Sequence, residues 1–261
     1  MAAKVHRSMT QDELLAFAGN GKAFEEISFA APLELDDIDF SNATFTGCLF
    51  QAPIMRATNF SDTAFEGCTF APSRFTSCKF NNATFENCSF FDAEGKLGCS
   101  FAFCELRAVE MTKCNFSVGV FERCDLYNVT ASGCSFRGAK FHGSTFNRAL
   151  SKKVVLTKAT FHDCNFSFAD MSGLSLPKGE LRNCKFSDTA LFDVDLTDAV
   201  MTGSTLHGID WNRARLSGAD LRGATISGLN LAVLADYAGL RVSASQQHGL
   251  LSQLGVEVTP D

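Results

Sequence analysis

The stretch NFSDTAFEGCTFAPSRFTSCKFNNATFENCSF, residues 59–90, decides the fold. It sets Phe60, Phe65, Phe70, Phe75, Phe80, Phe85 and Phe90 at a strict period of five. A helix repeats its buried face every 3.6 residues or so and a strand every second residue, so five fits neither. It fits a chain that turns a corner after each unit, four units closing a square coil. Coils stacked at the strand spacing of about 4.8 Å share backbone hydrogen bonds. Their large centres then stack along the axis and exclude water, which makes a quasi-one-dimensional solenoid.

The register extends both ways. Upstream it passes through Met55, Phe50, Phe45 and Phe40 to Leu35. After Phe90 the phase slips by one, and from Phe101 it runs unbroken to Leu231, through Leu106, Met111, Phe146, Leu156, Phe161 and Trp211. In that second series only Ala131 and Ser151 are not large and apolar. Two residues before the centres lies a second register that holds every cysteine: Cys48, Cys68, Cys78, Cys88, Cys99, Cys104, Cys114, Cys124, Cys134, Cys164 and Cys184. Elsewhere that slot is mostly Ala, Ser or Thr. Each unit therefore offers one large and one small inward residue and three polar ones. From 35 to 231 this makes roughly ten coils and a rod of about 48 Å. The expected fold is an all-β quadrilateral β-helix over 31–231, with a cap at 1–30 and another at 232–261.

A solenoid end exposes apolar rungs and unpaired backbone. Thr10-Gln11-Asp12-Glu13 reads as a capping box that opens a short helix over Leu14, Leu15 and Phe17, stopped by Gly19. At the other end, Gln246 to Leu254 reads as a short helix that carries Leu250, Leu251 and Leu254. Apolar residues kept on an end cap point to a partner, with a two-fold dimer as the default. Two places interrupt the register. The phase slip falls in 91–99, where two glycines and three charges read as an outward loop. Residues 147–157, where Ser151 takes a centre and Lys152-Lys153 follows, keep phase and read as a second loop or a weak coil. Loops on a rigid scaffold commonly carry function.

Composition narrows the function. The chain has 261 residues, 46% of them hydrophobic, and a net charge of −6. It is too apolar to be disordered and too acidic for a basic nucleic-acid binder. No apolar run is long enough to span a membrane, and the N-terminus carries no recognisable secretory signal. No hydrolase, metalloprotease, P-loop or dinucleotide signature is present, so neither an enzyme nor a cofactor is expected. The cysteines lack metal-ligand spacing and read as reduced core thiols. His142 and His162, twenty apart with Glu122 below, read as a surface ladder on one face. An acidic run, Asp188, Asp193, Asp195, Asp198 and Asp210, is free of Lys and Arg, and a second, Glu34-Asp36-Asp37-Asp39, sits at the cap junction. Duplex DNA carries one charge per roughly 1.7 Å, so imitating it along the whole rod would take about 28 charges. The net −6 leaves room only for a local imitation.

Units such as SGADLRGATI (217–226) resemble the pentapeptide-repeat consensus A-(D/N)-L-x-x, and that resemblance implies a right-handed quadrilateral β-helix. The stretch CSFFDAEGKLGCSF (88–101) is similar to the first loop of the Qnr branch, the quinolone-resistance proteins, through Cys88, Phe90, Asp92, Glu94, Gly98, Cys99 and Phe101. The ending GLLSQLGVEV (249–258) resembles that branch's dimerisation segment. The chain departs from the branch in its first 50 or so residues, in Gly95-Lys96, and in Ser151-Lys152-Lys153-Val154. The resemblance implies a cytoplasmic homodimer, joined through Leu250, Leu251 and Leu254, that engages DNA gyrase or topoisomerase IV and protects it from quinolones by partial DNA mimicry. The implied contacts are Asp92, Glu94, Lys96 and Leu97 on the first loop and Ser151, Lys152 and Lys153 on the second, with Asp188, Asp193, Asp195 and Asp198 as the acidic face. The alternative is a non-enzymatic interaction scaffold, such as a secretion-associated or effector protein.

Overall fold

The computed structural model describes residues 6–17, 21–151, 154–257 and 259. Its architecture follows from one repeated event. Each unit's centre turns inward, and the residue two places later turns the corner with a positive φ, as at Asn42, Asp62, Asn82 and Gly67. Asn, Asp and Gly tolerate that left-handed backbone best, which explains why the polar positions are so rich in them.

The four faces are parallel ladders. Face one stacks Phe24, Phe45, Phe65, Phe85, Met111, Ala131, Phe161 and Leu181 in an eight-stranded sheet. Face two carries the phenylalanine column from Phe29 through Phe50, Phe70 and Phe90 to Phe116, with ring centroids 4.3–4.7 Å apart. Face three stacks Met55, Phe75, Phe101, Phe121 and Phe141. Face four is tied by single bridges, Asp39 to Asn59 to Lys79 to Glu105 to Asp125 to Thr145. Ring planes within a column are nearly parallel, 8° for Phe45 on Phe65 and 5° for Phe65 on Phe85. Rings on adjacent faces meet edge to face, as Phe60 does Phe65 at 5.6 Å. Both arrangements suit the aromatic quadrupole.

The small slot does more than make room. Thr63 Oγ1 donates to Phe40 O at 3.0 Å, Ser204 Oγ to Leu181 O at 2.8 Å, and Cys68 Sγ to Phe45 O at 3.3 Å. Where the slot is Thr, Ser or Cys, its proton thus ties the coil to the carbonyl of a centre in the coil below. All eleven cysteines are buried and free. At Cys99 burial pushes the thiol up to about 12, which keeps its proton in place.

The coil starts inside the expected cap. Ala23–Glu25 and Ile27–Phe29 are already coil strands, with Phe24 below Phe45 and Phe29 below Phe50. The register between those pairs is twenty-one, because one extra residue sits at the corner before Leu35, and that hides both phenylalanines from a strict period of five. Helix α1 (Gln11–Phe17) closes this end. Thr10 and Glu13 make the reciprocal box: Glu13 N donates to Thr10 Oγ1 at 3.2 Å, and Thr10 N to Glu13 Oε2 at 2.8 Å. Leu14 is fully buried while Leu15 is exposed. Gly19 lies outside the described residues. At the far end the ladder also outlasts Leu231, with Asp236 bridging Arg215 and Arg241 bridging Asp220, again at twenty-one. Helix α2 (Gln247–Gln253) then seals it, and the Gln246 amide donates to the carbonyls of Leu221 and Ala224.

Two outcomes are expected. Phe65→Ala leaves a hole between Phe45 and Phe85 and lowers unfolding free energy by about 3–5 kcal/mol in denaturant melts. Ellman's reagent finds no thiol in the native protein and all eleven in guanidinium; titration of fewer than eleven after unfolding would reveal disulfides.

Candidate interaction site

Register arithmetic locates the two interruptions. Phe85 pairs with Met111 and Phe75 with Phe101, twenty-six apart, so one coil carries six extra residues. Ala131 pairs with Phe161 and Lys140 with Asp170, thirty apart, so a later coil carries ten. Both excess lengths are antiparallel hairpins. The first, loop 1, joins Phe91–Asp92 to Leu97–Gly98, and the second, loop 2, joins Asn147–Ser151 to Val154–Thr157. Loop 1 leaves the rod at the corner between faces two and three. Loop 2 leaves at the diagonally opposite corner, between faces four and one, two and a half coils further along.

Loop 1 is built around Asp92. Its carboxylate accepts from Glu94 N at 3.1 Å and Gly95 N at 3.0 Å, an Asx-type turn. A Cβ at Gly95 would meet Asp92 Oδ2 at 2.6 Å, so glycine fits the space under that carboxylate. Asp92 therefore shapes the turn, while Glu94, Lys96 and Leu97 stand in solvent. The loop's base is tight: a Cβ on Gly98 would fall 2.6 Å from Ser117 O.

Loop 2 corrects the expected register. Ser151 and Leu156 had been read as inward centres, but both are exposed on the hairpin, beside exposed Leu150 and Val155. The ten extra residues equal two units, so the period of five runs through the hairpin without a phase slip. Asn147 and Thr157 bind each other across the hairpin's base, and Arg148 lies over the Tyr127 ring. Lys152 and Lys153 lie outside the described residues. The exposed apolar residues of loop 2 escaped the sequence reading; the sequence signal for them was Ser151 followed by two lysines inside an otherwise apolar register.

The same ten residues separate the histidines. His142 lies on face three beside Glu122, whereas His162 lies on face one between Ser132 and Arg182. They do not stack. His162 instead approaches Glu180 at 3.8 Å. Among the described residues no group of three or more His, Cys, Asp or Glu is placed to hold a metal ion.

The acidic residues turn out to ring one coil. Asp188, Asp193 and Asp198 occupy three successive corners with φ of 55°, 55° and 57°. Each reaches up to the next coil: Asp188 and Asp198 lie over Gly208 and Gly218, and Asp193 meets Arg213 at 3.3 Å. Asp195 lies on face four and accepts from Thr197 N and Oγ1. The run at the cap junction is likewise engaged, with Asp36 on Arg56 at 2.9 Å. The Ser41 N–H that Asp39 accepts holds its carboxyl below the ordinary range. Asp220 is the buried acid, and the bidentate Arg222 guanidinium holds its carboxyl low.

Of the three apolar residues expected at a dimer contact, Leu250 is buried on its own coil end, Leu251 is half-buried and Leu254 is exposed. Leu250 is thus already occupied in sealing the core. The other two line a groove of about 340 Å³ with Leu231 and Val242.

Family models place the repeat along most of the chain. The pentapeptide repeat region matches 22–94, and pentapeptide repeats (8 copies) match 119–150, 152–188 and 199–232. No curated protein matches the sequence. Among solved structures, trypsin-treated QnrB1, a plasmid-mediated fluoroquinolone resistance protein, is 20% identical and has a TM-score of 0.65 over 92% of this chain and all of that one. Full-length QnrB1 is 19% identical with a TM-score of 0.63, over 91% of this chain and 99% of its own. HetL, a pentapeptide repeat protein involved in heterocyst differentiation regulation in the cyanobacterium Nostoc sp. strain PCC 7120, is 17% identical over 89% of this chain and 92% of its own, with a TM-score of 0.42. At these identities the likeness to QnrB1 is one of fold.

Excising six residues from loop 1 (92–97), or ten from loop 2 (148–157), restores a coil of twenty and keeps every rung in register. Each excision should shift the thermal midpoint by no more than a few degrees, since loop-closure entropy changes slowly with length. A collapse of the midpoint in either variant would show that the hairpin supports the coil.

Proposed function

This chain belongs to the pentapeptide-repeat family, and from that premise we propose that it binds a type II topoisomerase, DNA gyrase or topoisomerase IV, and shields it from quinolones. The observation that carries the reading is the pair of hairpins on an otherwise continuous rod, in a fold like that of QnrB1 over 92% of this chain. Among the described residues the inward faces are filled by buried apolar side chains, which favours an action through binding at the surface. Loop 1 presents Glu94, Lys96 and Leu97. Loop 2 presents Arg148, Leu150 and Leu156. The acidic corners Asp188, Asp193 and Asp198, with Asp195, supply the part of the surface that imitates backbone phosphates. Two copies join through the end that carries Leu251 and Leu254.

A second reading, an interaction scaffold with no topoisomerase role, draws support from those same carboxylates. They circle one coil instead of tracking a groove, and Arg213 neutralises Asp193. Fold does not fix function here.

A supercoiling assay separates the two. Titrated into gyrase with ciprofloxacin, the protein should restore supercoiling at concentrations near that of the enzyme, and the six-residue excision of loop 1 should abolish the rescue while the rod stays folded. Inhibition without rescue would mark a competitor for the DNA site. No effect at large excess would leave the scaffold reading.

A further inference from the structure

The large apolar side chains left exposed among the described residues are not scattered. Leu15, Tyr237, Leu254 and Val256 lie at the ends of the rod, and Leu150, Val155 and Leu156 on loop 2. All the others, Ile54, Leu97, Phe103, Val118, Phe168 and Phe192, belong to face three or its two corners. Monomeric surfaces seldom gather such residues on one side without a use.

The backbone sharpens the point. Phe103, Val118 and Phe168 have φ of 57°, 49° and 63°. They are the large apolar residues in the left-handed region among the described residues, and all three stand at face three's corners. A corner elsewhere on the rod is mostly Gly, Asn or Asp. A bulky or β-branched residue in that conformation is strained, and such strain persists mainly where function holds it. Their side chains stabilise the fold less than asparagine would at the same φ.

Charge is arranged around the rings. The Arg123 guanidinium lies 5.5 Å from the Phe103 centroid, and Arg137 lies 4.5 Å from Phe168. Arg213 sits over Phe192 at 5.9 Å but is paired with Asp193. Neither Arg123 nor Arg137 forms an ion pair with a described residue. A guanidinium laid on a ring is pre-organised and keeps its outer N–H groups for a carboxylate. The sheet between the corners is mixed, with Lys140 and His142 against Glu122 and Asp170. Asp188 and Asp193 turn the same two corners above Phe168, so it is in the coils from Phe103 to Arg137, where Arg123 and Arg137 have no described ion-pair partner, that guanidiniums set the sign of what docks.

We propose that face three and its corners form a docking surface for a segment of a protein partner that carries apolar and acidic side chains together. Phe103, Val118 and Phe168 receive the apolar groups, and Arg123 and Arg137 receive the carboxylates. Leu97 extends the strip onto loop 1, whose base lies against the Val118 corner. From Ile54 to Phe192 the strip covers six coil steps, about 29 Å, the reach of roughly nine extended residues. A DNA mimic offers carboxylates to a basic surface, whereas Arg123 and Arg137 offer guanidiniums beside rings; the two readings ask for partners of opposite charge, although Leu97 and the corners of Asp188 and Asp193 serve both.

The test pans a random dodecapeptide phage library against the full chain. The expected winners combine Asp or Glu with Leu, Ile or Phe. A labelled winner should bind the triple variant Phe103→Asn, Val118→Asn, Phe168→Asn at least tenfold more weakly, while that variant melts no lower than wild type. Arg123→Gln with Arg137→Gln should weaken binding and flatten its salt dependence. The proposal is overturned if no peptide is enriched, if the winners are basic, or if they bind the triple variant as well as wild type. A lowered melting temperature would make the rings structural and overturn it too. So would a change of mass by light scattering in the triple variant, which would give the face to a second copy, or variant-sensitive binding of a 20-nucleotide single strand, which would give it to nucleic acid.

Discussion

The structure depends on one constraint: each coil must return its centres to the places directly above those of the coil below. Only then do the ladder hydrogen bonds close, the rings stack at 4–5 Å, and the slot protons find the carbonyl beneath. No long-range packing choice remains once that condition is met, because every inward residue touches only its neighbours in its own coil and the adjacent ones. The condition also fixes where variation is allowed. A corner can extrude extra chain without disturbing the rungs on either side, and both hairpins leave the rod at corners.

The same constraint governs what the sequence revealed. The inward phenylalanines and the cysteine slot were legible at once, since a period of five is visible wherever it is kept. Loop 1 was legible because six is not a multiple of five, so Phe90 and Phe101 fall out of phase. Loop 2 was half-hidden because ten is, and Leu156 went on reading as a core residue while it stood in solvent. The error then propagated to surface residues: His142 and His162 were stacked in the reading and lie on different faces in the structure. Phe24 and Phe29 were lost for the opposite reason, an extra residue at one corner. Leu250 reads equally well in sequence as a cap residue or an interface residue, and the coil end beneath it is what buries it.

Polar corners show how local geometry imitates a functional pattern. A run of aspartates suggests a charged face, yet Asp188, Asp193 and Asp198 are also the residues a left-handed corner prefers, each reaching up to the next coil. Their spacing of five winds them around the rod. The off-register phenylalanines carry the converse signal. Phe103 and Phe168 fall where a corner should be small or polar, and no rule of the fold calls for them. In a repeat protein the residues that break the local preference are more informative about partners than those that satisfy it.

Because length along this rod is counted in whole coils, the separation between its two hairpins is quantised. They stand two and a half coils apart, roughly 12 Å, and no point substitution can alter that spacing. Only the gain or loss of an entire coil can, in steps of about 4.8 Å that also rotate nothing and leave both hairpins at their own corners. The rod is in this sense a ruler with fixed graduations. A partner that touches both hairpins must match one of its marks, and a lineage that changes partners by changing this distance must do so in jumps.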